Sequence, residues 1–271
     1  MPPPTDFELA RLPTPLPHLD ITFAANSTRE VESLIGKIAP YIEPGDSFDL
    51  VSGSPERTPL NVSAINLWAS LLRSAYPTYP IYAHTAGLAN YRVLAGNASP
   101  NISGIFYDYE PNYETEFTAN FSETLGYFAD ATRIANAHGL LGIGYPTGKP
   151  IAFANWTKDH WNYASLAEVV NDLVVQSQTY CRQGTAQYAS AISDVLAQYL
   201  AAGAPGAPTY QVTLGNNVNV TPNQVSPLQA YNCSSILTTD GLKTLYLWWG
   251  PGTNSNVIAF LKDIGRKANA A

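Results

Sequence analysis

Short runs of β-branched and aromatic residues alternate with longer amphipathic segments along most of the chain. The short runs are typical of buried strands, and apolar residues spaced three and four apart are typical of helices packed on a sheet. The predicted strands are His18–Ala25, Ser47–Ser52, Pro80–Thr85, Ser103–Tyr109, Leu140–Tyr145, Val169–Gln178, Thr209–Leu214 and Thr244–Trp249. The predicted helices are Ser27–Ile42, Val62–Ala75, Leu88–Leu94, Phe121–His138, Thr185–Ala202, Pro227–Leu237 and Asn254–Ala268.

This alternation predicts an α/β fold, a (β/α)8 TIM barrel in a single domain. A strand begins about every 32 residues between His18 and Thr244, as eight parallel strands with helical crossovers require. A doubly wound open sheet is the alternative, but it favours a glycine-rich loop after its first strand, and Phe23–Asn26 contains no glycine. We expect an extended Pro-rich arm over 1–17, the barrel over 18–271, and an elaborated loop over 146–165.

The low content of charged residues limits the kinds of molecule that this protein can bind. Only 13% of the residues are charged, and the net charge is −7. Proteins that bind nucleic acid need basic patches to displace counterions, so this balance argues against a nucleic-acid partner. The chain also lacks a run of about 18 apolar residues, so we expect no membrane span. The surface must therefore consist mostly of uncharged polar groups.

Glycosylation sequons and cysteines indicate the compartment. Eight Asn-X-Ser/Thr sequons occur, at Asn26, Asn61, Asn97, Asn101, Asn120, Asn155, Asn219 and Asn232. This number favours a secreted, extracellular glycoprotein, although asparagines that cap helices and turns would give the same pattern. Cys181 and Cys233 would close one loop in an oxidising compartment, and would be buried thiols in a reducing one. We expect secretion and a Cys181–Cys233 disulfide.

One pair of carboxylates lies at a predicted strand end, where the catalytic groups of this fold cluster. Asp108 and Glu110 are two residues apart in the segment Gly104–Pro111, so both side chains point to the same side, roughly 6–7 Å apart. Two like charges among Tyr and Phe rings should leave one acid protonated near neutral pH, as a general acid requires. The alternative is that either acid caps the next segment or pairs with an arginine.

A glycosidase usually needs a second, remote carboxylate, and the other predicted strand ends offer none. They offer amides, tyrosines and tryptophans instead, in segments such as Gln176–Gln178 and Tyr246–Trp249. This composition suits substrate-assisted hydrolysis, in which the 2-acetamido carbonyl of the sugar attacks the anomeric carbon. One carboxylate then orients the acetamide, and the other protonates the leaving oxygen.

The fourth-strand segment resembles the Asp-x-x-Asp-x-Asp-x-Glu signature of glycoside hydrolase family 18, which contains chitinases and endo-β-N-acetylglucosaminidases. The resemblance implies that Glu110 is the catalytic acid/base and that Asp108 orients the acetamide. It also implies that Trp248 or Trp249, at the end of the eighth strand, forms the floor of the −1 sugar site. The chain departs from the signature at Phe106, where the family has its middle Asp, and at Ser103, where it has its first.

We therefore predict a secreted retaining glycosidase that acts on N-acetylhexosamine glycans or polysaccharides, as a monomer without cofactor or metal. The four histidines lie too far apart in sequence for a metal motif. Two alternatives remain open: a glycosidase of another linkage with an unlocated nucleophile, and a non-catalytic, lectin-like carbohydrate-binding barrel. The predicted substrate-binding residues are Tyr107, Tyr145, Gln176, Gln178, Trp248, Trp249, Tyr82 and His84.

Overall fold

The computed structural model describes residues 18–52, 60–110, 118, 120–146, 162–203, 208–213, 225–239, 244–249 and 254–267. The strands within these ranges are β1 His18–Ala25, β2 Ser47–Ser52, β3 Ile81–Ala86, β4 Gly104–Tyr109, β5 Leu141–Pro146, β6 Asp172–Val175, β7 Thr209–Thr213 and β8 Thr244–Trp249. The helices are α1 Thr28–Ile38, α2 Val62–Ala75, α3 Leu88–Asn97, α4 Phe121–Ala137, α5 Tyr163–Val169, α6 Gln178–Gln183, α7 Thr185–Ala202, α8 Pro227–Thr239 and α9 Asn254–Asp263.

The eight described strands form a closed barrel in which every strand is parallel to both of its neighbours. The barrel closes where β1 pairs with β8, with Thr22 opposite Trp248. A doubly wound sheet would leave β1 and β8 unpaired with each other, so this contact excludes it. The predicted TIM barrel is confirmed.

Alternation along each strand separates two apolar layers. On β4, Ile105, Tyr107 and Tyr109 face the helices and join the large outer core. Phe106 faces the barrel axis, where it packs in a smaller inner cluster. The other buried members of that cluster are Ile143, Tyr145, Val174 and Tyr246. The barrel is therefore filled rather than hollow, and an inward polar side chain must find a partner inside it.

The chain around β6 differs from the prediction. Val169 and Val170, predicted to begin the strand, lie at the end of α5, and β6 covers only Asp172–Val175. The Asn162 side chain caps α5 by accepting a hydrogen bond from the Ser165 N–H, at 3.2 Å. An apolar run alone does not distinguish a buried helix from a strand, so the sequence pattern misplaced this boundary. Most of the predicted loop over 146–165, like the predicted arm over 1–17, lies outside the described residues.

Two long-range links join distant parts of the barrel. Cys181 on α6 and Cys233 on α8 form the predicted disulfide. Both terminal nitrogens of Arg266, just after α9, donate to the Asp46 carboxylate, each at 2.9 Å. Asp46 also accepts a hydrogen bond from the Leu19 N–H on β1. The last helix is thereby fastened to the first two strands. No helix in the described ranges has the length and apolarity that crossing a membrane requires.

Candidate active site

Five polar side chains from five strands or strand ends form a continuous hydrogen-bonded chain inside the barrel. We call it the axial network, and it consists of Tyr246, Asp49, His84, Asp108 and Gln176. Because its members come from β8, β2, β3, β4 and the end of β6, only the closed barrel brings them together. The four hydrogen bonds that link them join residues 24 to 197 positions apart along the chain.

His84 lies at the centre of this network, between two carboxylates. Its Nδ1 is 3.1 Å from Asp49 Oδ2, and its Nε2 is 3.1 Å from Asp108 Oδ2. An ionised carboxylate only accepts hydrogen bonds, so both ring nitrogens must carry a proton. The Tyr246 hydroxyl donates to the same Asp49 oxygen at 2.6 Å. This geometry describes an imidazolium held by two carboxylates.

The electrostatics of His84 agree with this geometry. Burial by itself lowers the pKa of the imidazole, because it disfavours the charged form. The charge of Asp49 and the hydrogen bonds with Asp108 and Asp49 outweigh burial, and the pKa of His84 rises to about 10. His84 is therefore a cation across the physiological range.

Aromatic rings surround the imidazolium. The Phe106 ring stacks on His84 at a centroid distance of 5.6 Å and an interplanar angle of 15°. Tyr145 and Trp248 meet it edge to face, at 4.9 Å and 5.3 Å. A cation within about 6 Å of a ring centroid is attracted by the quadrupole of the ring. The stacked Phe106 ring therefore stabilises the charge, and the three rings together hold the plane of the imidazole.

Asp108 is the ionisable member of the network that lies nearest the carboxyl end of the barrel. It is only 5% exposed, and Gln176 Nε2 donates to its Oδ1 at 3.0 Å. The Gln176 amide is itself oriented by the carbonyl oxygen of Tyr145, at 3.3 Å, and by the Gln178 amide, which donates to Gln176 Oε1 at 3.3 Å. Both oxygens of Asp108 thus have a fixed donor, and the carboxylate has one preferred orientation.

Glu110 directly follows β4 and is half-buried. Burial raises the pKa of the Tyr145 phenol well above its ordinary value, and the next contributions come from the charges of Asp108 and Glu110. Tyr145 therefore lies within electrostatic reach of both acids. Together, Asp108, Glu110 and Tyr145 place two carboxyl groups and a phenol at the carboxyl end of the barrel.

The structure brings five of the eight predicted substrate-binding residues to this region, but not all in the expected way. Tyr145, Gln176, Gln178 and Trp248 surround Asp108 and His84. His84 is only 1% exposed, so it supports Asp108 from below instead of facing a ligand. Another predicted residue, Trp249, ends β8, and its side chain lies outside the described residues.

Two predicted substrate-binding residues lie elsewhere. Tyr107 faces the helices, where its ring packs against Tyr91 at 5.6 Å and Phe128 at 5.2 Å. It belongs to the outer core, because its position on β4 has the opposite parity from Asp108. Tyr82 lies inside the barrel near its amino end, two positions before His84, with its ring 5.7 Å from Phe106. Neither side chain reaches the carboxyl end of the strands.

Sequence reasoning did not identify Asp49 and Tyr246. Asp49 is an acid inside the apolar run Phe48–Val51, which is itself a signal, since burying a carboxylate is costly without a partner. Tyr246 lies two positions before Trp248 and therefore on the same face of β8. Among the described residues, no group of three or more His, Cys, Asp or Glu side chains is arranged to hold a metal ion.

Comparisons with known proteins define first the class of fold. No protein-family model and no curated protein matches the chain in sequence. The barrel is similar to that of 2,3-dimethylmalate lyase, with 9% identity, coverage of 86% of this chain and 76% of the lyase, and a TM-score of 0.53. The architecture is therefore one that enzymes of unrelated chemistry share.

Glycosidase barrels are more similar. The glycoside hydrolase domain of PgaB from Bordetella bronchiseptica matches with a TM-score of 0.64 and 8% identity, over 94% of this chain and 100% of that domain. A family 18 chitinase from Cycas revoluta, solved with (GlcNAc)3, matches with a TM-score of 0.58 and 11% identity, over 92% and 98% of the two chains. The chain has a distant fold likeness to family 18 and related glycoside hydrolases, as the fourth-strand resemblance predicted.

Proposed function

We propose that this protein is a retaining glycoside hydrolase that cleaves N-acetylhexosamine glycans with assistance from the substrate acetamide. The observation that carries the proposal is the orientation of Asp108. Its carboxylate is buried, has a fixed donor on each oxygen, and lies two residues before a half-buried glutamate. The fold likeness to chitinases and other glycoside hydrolases supports the same class of reaction.

In the first step, Glu110 donates its proton to the glycosidic oxygen while the bond from that oxygen to C1 breaks. The acetamide carbonyl oxygen of the same sugar forms a bond to C1 from the opposite face, which gives an oxazolinium ion. Asp108 accepts a hydrogen bond from the acetamide N–H and stabilises the positive charge. A carboxylate has about four acceptor positions, so Asp108 can do this while it keeps His84 and Gln176.

In the second step, a water molecule attacks C1 and the bond from C1 to the acetamide oxygen breaks. The Glu110 carboxylate takes the proton of that water and is ready for the next cycle. Two successive inversions at C1 give net retention of configuration. The half-buried Trp248 ring at the carboxyl end of β8 offers an apolar face for the sugar, and Gln178 offers an amide for its hydroxyls.

The test is hydrolysis of N-acetylhexosamine oligomers and of plain glucans by the wild type, Glu110→Gln and Asp108→Asn. We expect cleavage of the acetylated sugars only, and a loss of about 10²-fold or more in kcat for each variant, because each removes a group that acts in the transition state. Glu123→Gln, on the exposed first turn of α4, is the matched control and should keep full activity.

Three other outcomes would count against this proposal. Cleavage of sugars without an acetamide would exclude substrate assistance and require a nucleophile from another residue. Binding of N-acetylhexosamine oligomers without turnover would make the barrel a lectin. Equal losses in Glu123→Gln and Glu110→Gln would show that the assay does not report on the proposed site.

We also propose that the protein is secreted and glycosylated. Asn26, Asn61 and Asn97 belong to sequons and are exposed, and the Cys181–Cys233 disulfide suits an oxidising compartment. The check is mass spectrometry of the protein purified from the medium of its native source. Peptides that carry Asn26, Asn61 or Asn97 should show glycan mass, and a purely intracellular protein without glycan would contradict the proposal.

A further inference from the structure

Asp49 and His84 lie directly beneath Asp108, and neither side chain has any exposed surface. They cannot contact a substrate, yet they lie at the centre of the barrel, beside the inner cluster of aromatic and aliphatic side chains. Burying three ionisable groups in such a place is costly unless they have a function or satisfy one another completely.

We propose that Asp49 and His84 are a positioning pair, which fixes the orientation of the Asp108 carboxylate and keeps a permanent positive charge beside it. The catalytic part of this inference rests on the proposed function. The protonation of His84 does not, because it follows from the free protein alone. The two parts can therefore be tested separately.

The hydrogen bonds of the network hold both carboxylates and the imidazole in place. Rotating the Asp108 carboxylate would break its hydrogen bonds with His84 Nε2 and Gln176 Nε2 together. Rotating the imidazole would break its bond with Asp49 as well, and Phe106, Tyr145 and Trp248 block the movement of the ring. Asp49 is fixed in turn by the Tyr246 hydroxyl. Each of these side chains therefore has a single orientation in which it keeps its hydrogen bonds to its neighbours in the network.

The balance of charge inside the barrel also favours this role. The charged and titratable groups around His84 are Asp49, Asp108, Asp20, Tyr145 and Tyr246. The two phenols are neutral, and burial followed by the charge of Asp49 raises the pKa of Asp20 well above its ordinary value. Within the axial network itself, one imidazolium faces two carboxylates, so the network has one surplus negative charge.

That surplus charge is available at Asp108, the carboxylate of the network nearest the carboxyl rim. Asp49 is covered on its own side by the Tyr246 hydroxyl and by the Thr22 hydroxyl at 3.5 Å. A positive charge that develops on the substrate next to Asp108, such as that of an oxazolinium ion, would therefore be stabilised by a carboxylate that is already oriented toward it. Preorganised charge of this kind lowers the barrier without reorganisation during the reaction.

The first experiment measures the protonation of His84 by ¹⁵N NMR of histidine-labelled protein between about pH 5.5 and about pH 11. Nuclear Overhauser contacts to the Tyr145 and Trp248 rings assign His84 among the four histidines in the wild type itself. We expect both ring nitrogens of His84 to keep the imidazolium shift at pH 8. A His84 that deprotonates near pH 6.5 would overturn the proposal.

The second experiment repeats this titration with Asp49→Asn, which keeps the shape of the side chain and removes its charge. We expect the His84 titration to move to lower pH by at least one unit, and kcat to fall about 10- to 100-fold with little change in KM, because Asp49 acts on the transition state only through His84 and Asp108. Asp130→Asn, at an exposed ion pair with Arg133, is the matched control and should change neither.

The outcomes separate this inference from the proposed function. An imidazolium His84 in a protein without glycosidase activity would refute the function and leave the charge arrangement standing. An active enzyme whose kcat is the same in Asp49→Asn would refute the positioning pair and leave the function standing. If Asp49→Asn does not fold, the wild-type titration still decides whether His84 is the permanent cation.

Discussion

The pKa of Asp20 shows how strongly burial and a neighbouring charge affect a single side chain. It faces the barrel interior from β1 and is only 5% exposed, and its Oδ1 has no hydrogen-bond partner within the described residues. Burial is the largest cause of its raised pKa, and the nearby Asp49 charge is the next. Asp20 is therefore protonated in the folded protein at pH values where it is ionised in the unfolded chain.

This difference predicts how stability changes with pH. The unfolded chain releases the Asp20 proton near pH 4, whereas the folded barrel keeps it, so the wild type loses stability as the pH rises from about 4 toward the folded pKa. Asp20→Asn cannot ionise and should not have this loss. We expect the stability of the variant relative to the wild type to increase by about 1–3 kcal/mol between pH 4 and pH 7.5, measured by urea unfolding.

Asp46 is the matched comparison, because it is another fully buried carboxylate at the same end of the barrel. It differs from Asp20 in having the Arg266 guanidinium as a partner. Asp46→Asn removes the fully buried counter-charge of Arg266 and leaves this cation with the partly exposed Glu43 carboxylate at 3.2 Å, so we expect a loss of about 3 kcal/mol at pH 7.5. A relative stability of Asp20→Asn that stays constant or falls with increasing pH would contradict the prediction for Asp20.

At the scale of elements, the packing of α4 on β5 depends on a glycine. A Cβ on Gly142 would lie 2.6 Å from the Thr132 Cα and 3.0 Å from its Oγ1. The first of these is a backbone atom of α4, so the helix itself would have to move. We expect Gly142→Ala to reduce the free energy of unfolding by about 2–3 kcal/mol, measured by chemical denaturation.

Gly126 on the exposed side of the same helix is the control. Nothing lies within 4 Å of a Cβ placed there, so Gly126→Ala should only add helix propensity, about 0.5–1 kcal/mol of stability. Opposite signs for the two glycine substitutions are the expected result. If both variants are destabilised equally, close packing of α4 on β5 is not what Gly142 provides.

The sequence predicted most elements because hydrophobic periodicity and turn residues agreed with each other. β1, β2 and β8 begin and end at the predicted residues, as do α2 and α7. The boundary of β6 was wrong because α5 and β6 are both short and apolar, and their separation depends on the Asn162 cap and on pairing with β5. Tertiary contacts, not local propensity, decide such a boundary.

At the scale of the whole molecule, the sequence predicted which residues stand at strand ends, but not which of them touch. The sequence predicts that Asp108 and Gln176 lie near each other, because the carboxyl ends of parallel strands all lie at one rim of the barrel. The contact of Asp49 with His84 is different. It joins side chains 35 residues apart on β2 and β3, and it depends on the tilt and stagger of the closed barrel. The pattern of hydrophobic and polar residues in the sequence does not determine that stagger.

The disulfide acts on the whole molecule, because it fastens α6, whose first residue is the site residue Gln178, to α8. The two cysteines are 52 residues apart, and restricting a loop of this length in the unfolded chain is worth about 4 kcal/mol. We expect the Cys181→Ala, Cys233→Ala double variant to melt roughly 10 °C below the wild type in calorimetry, with the reduced wild type falling by a similar amount. A reductant should leave the melting temperature of the double variant unchanged. If the variant melts with the wild type, the bond does not restrain the unfolded chain as this argument requires.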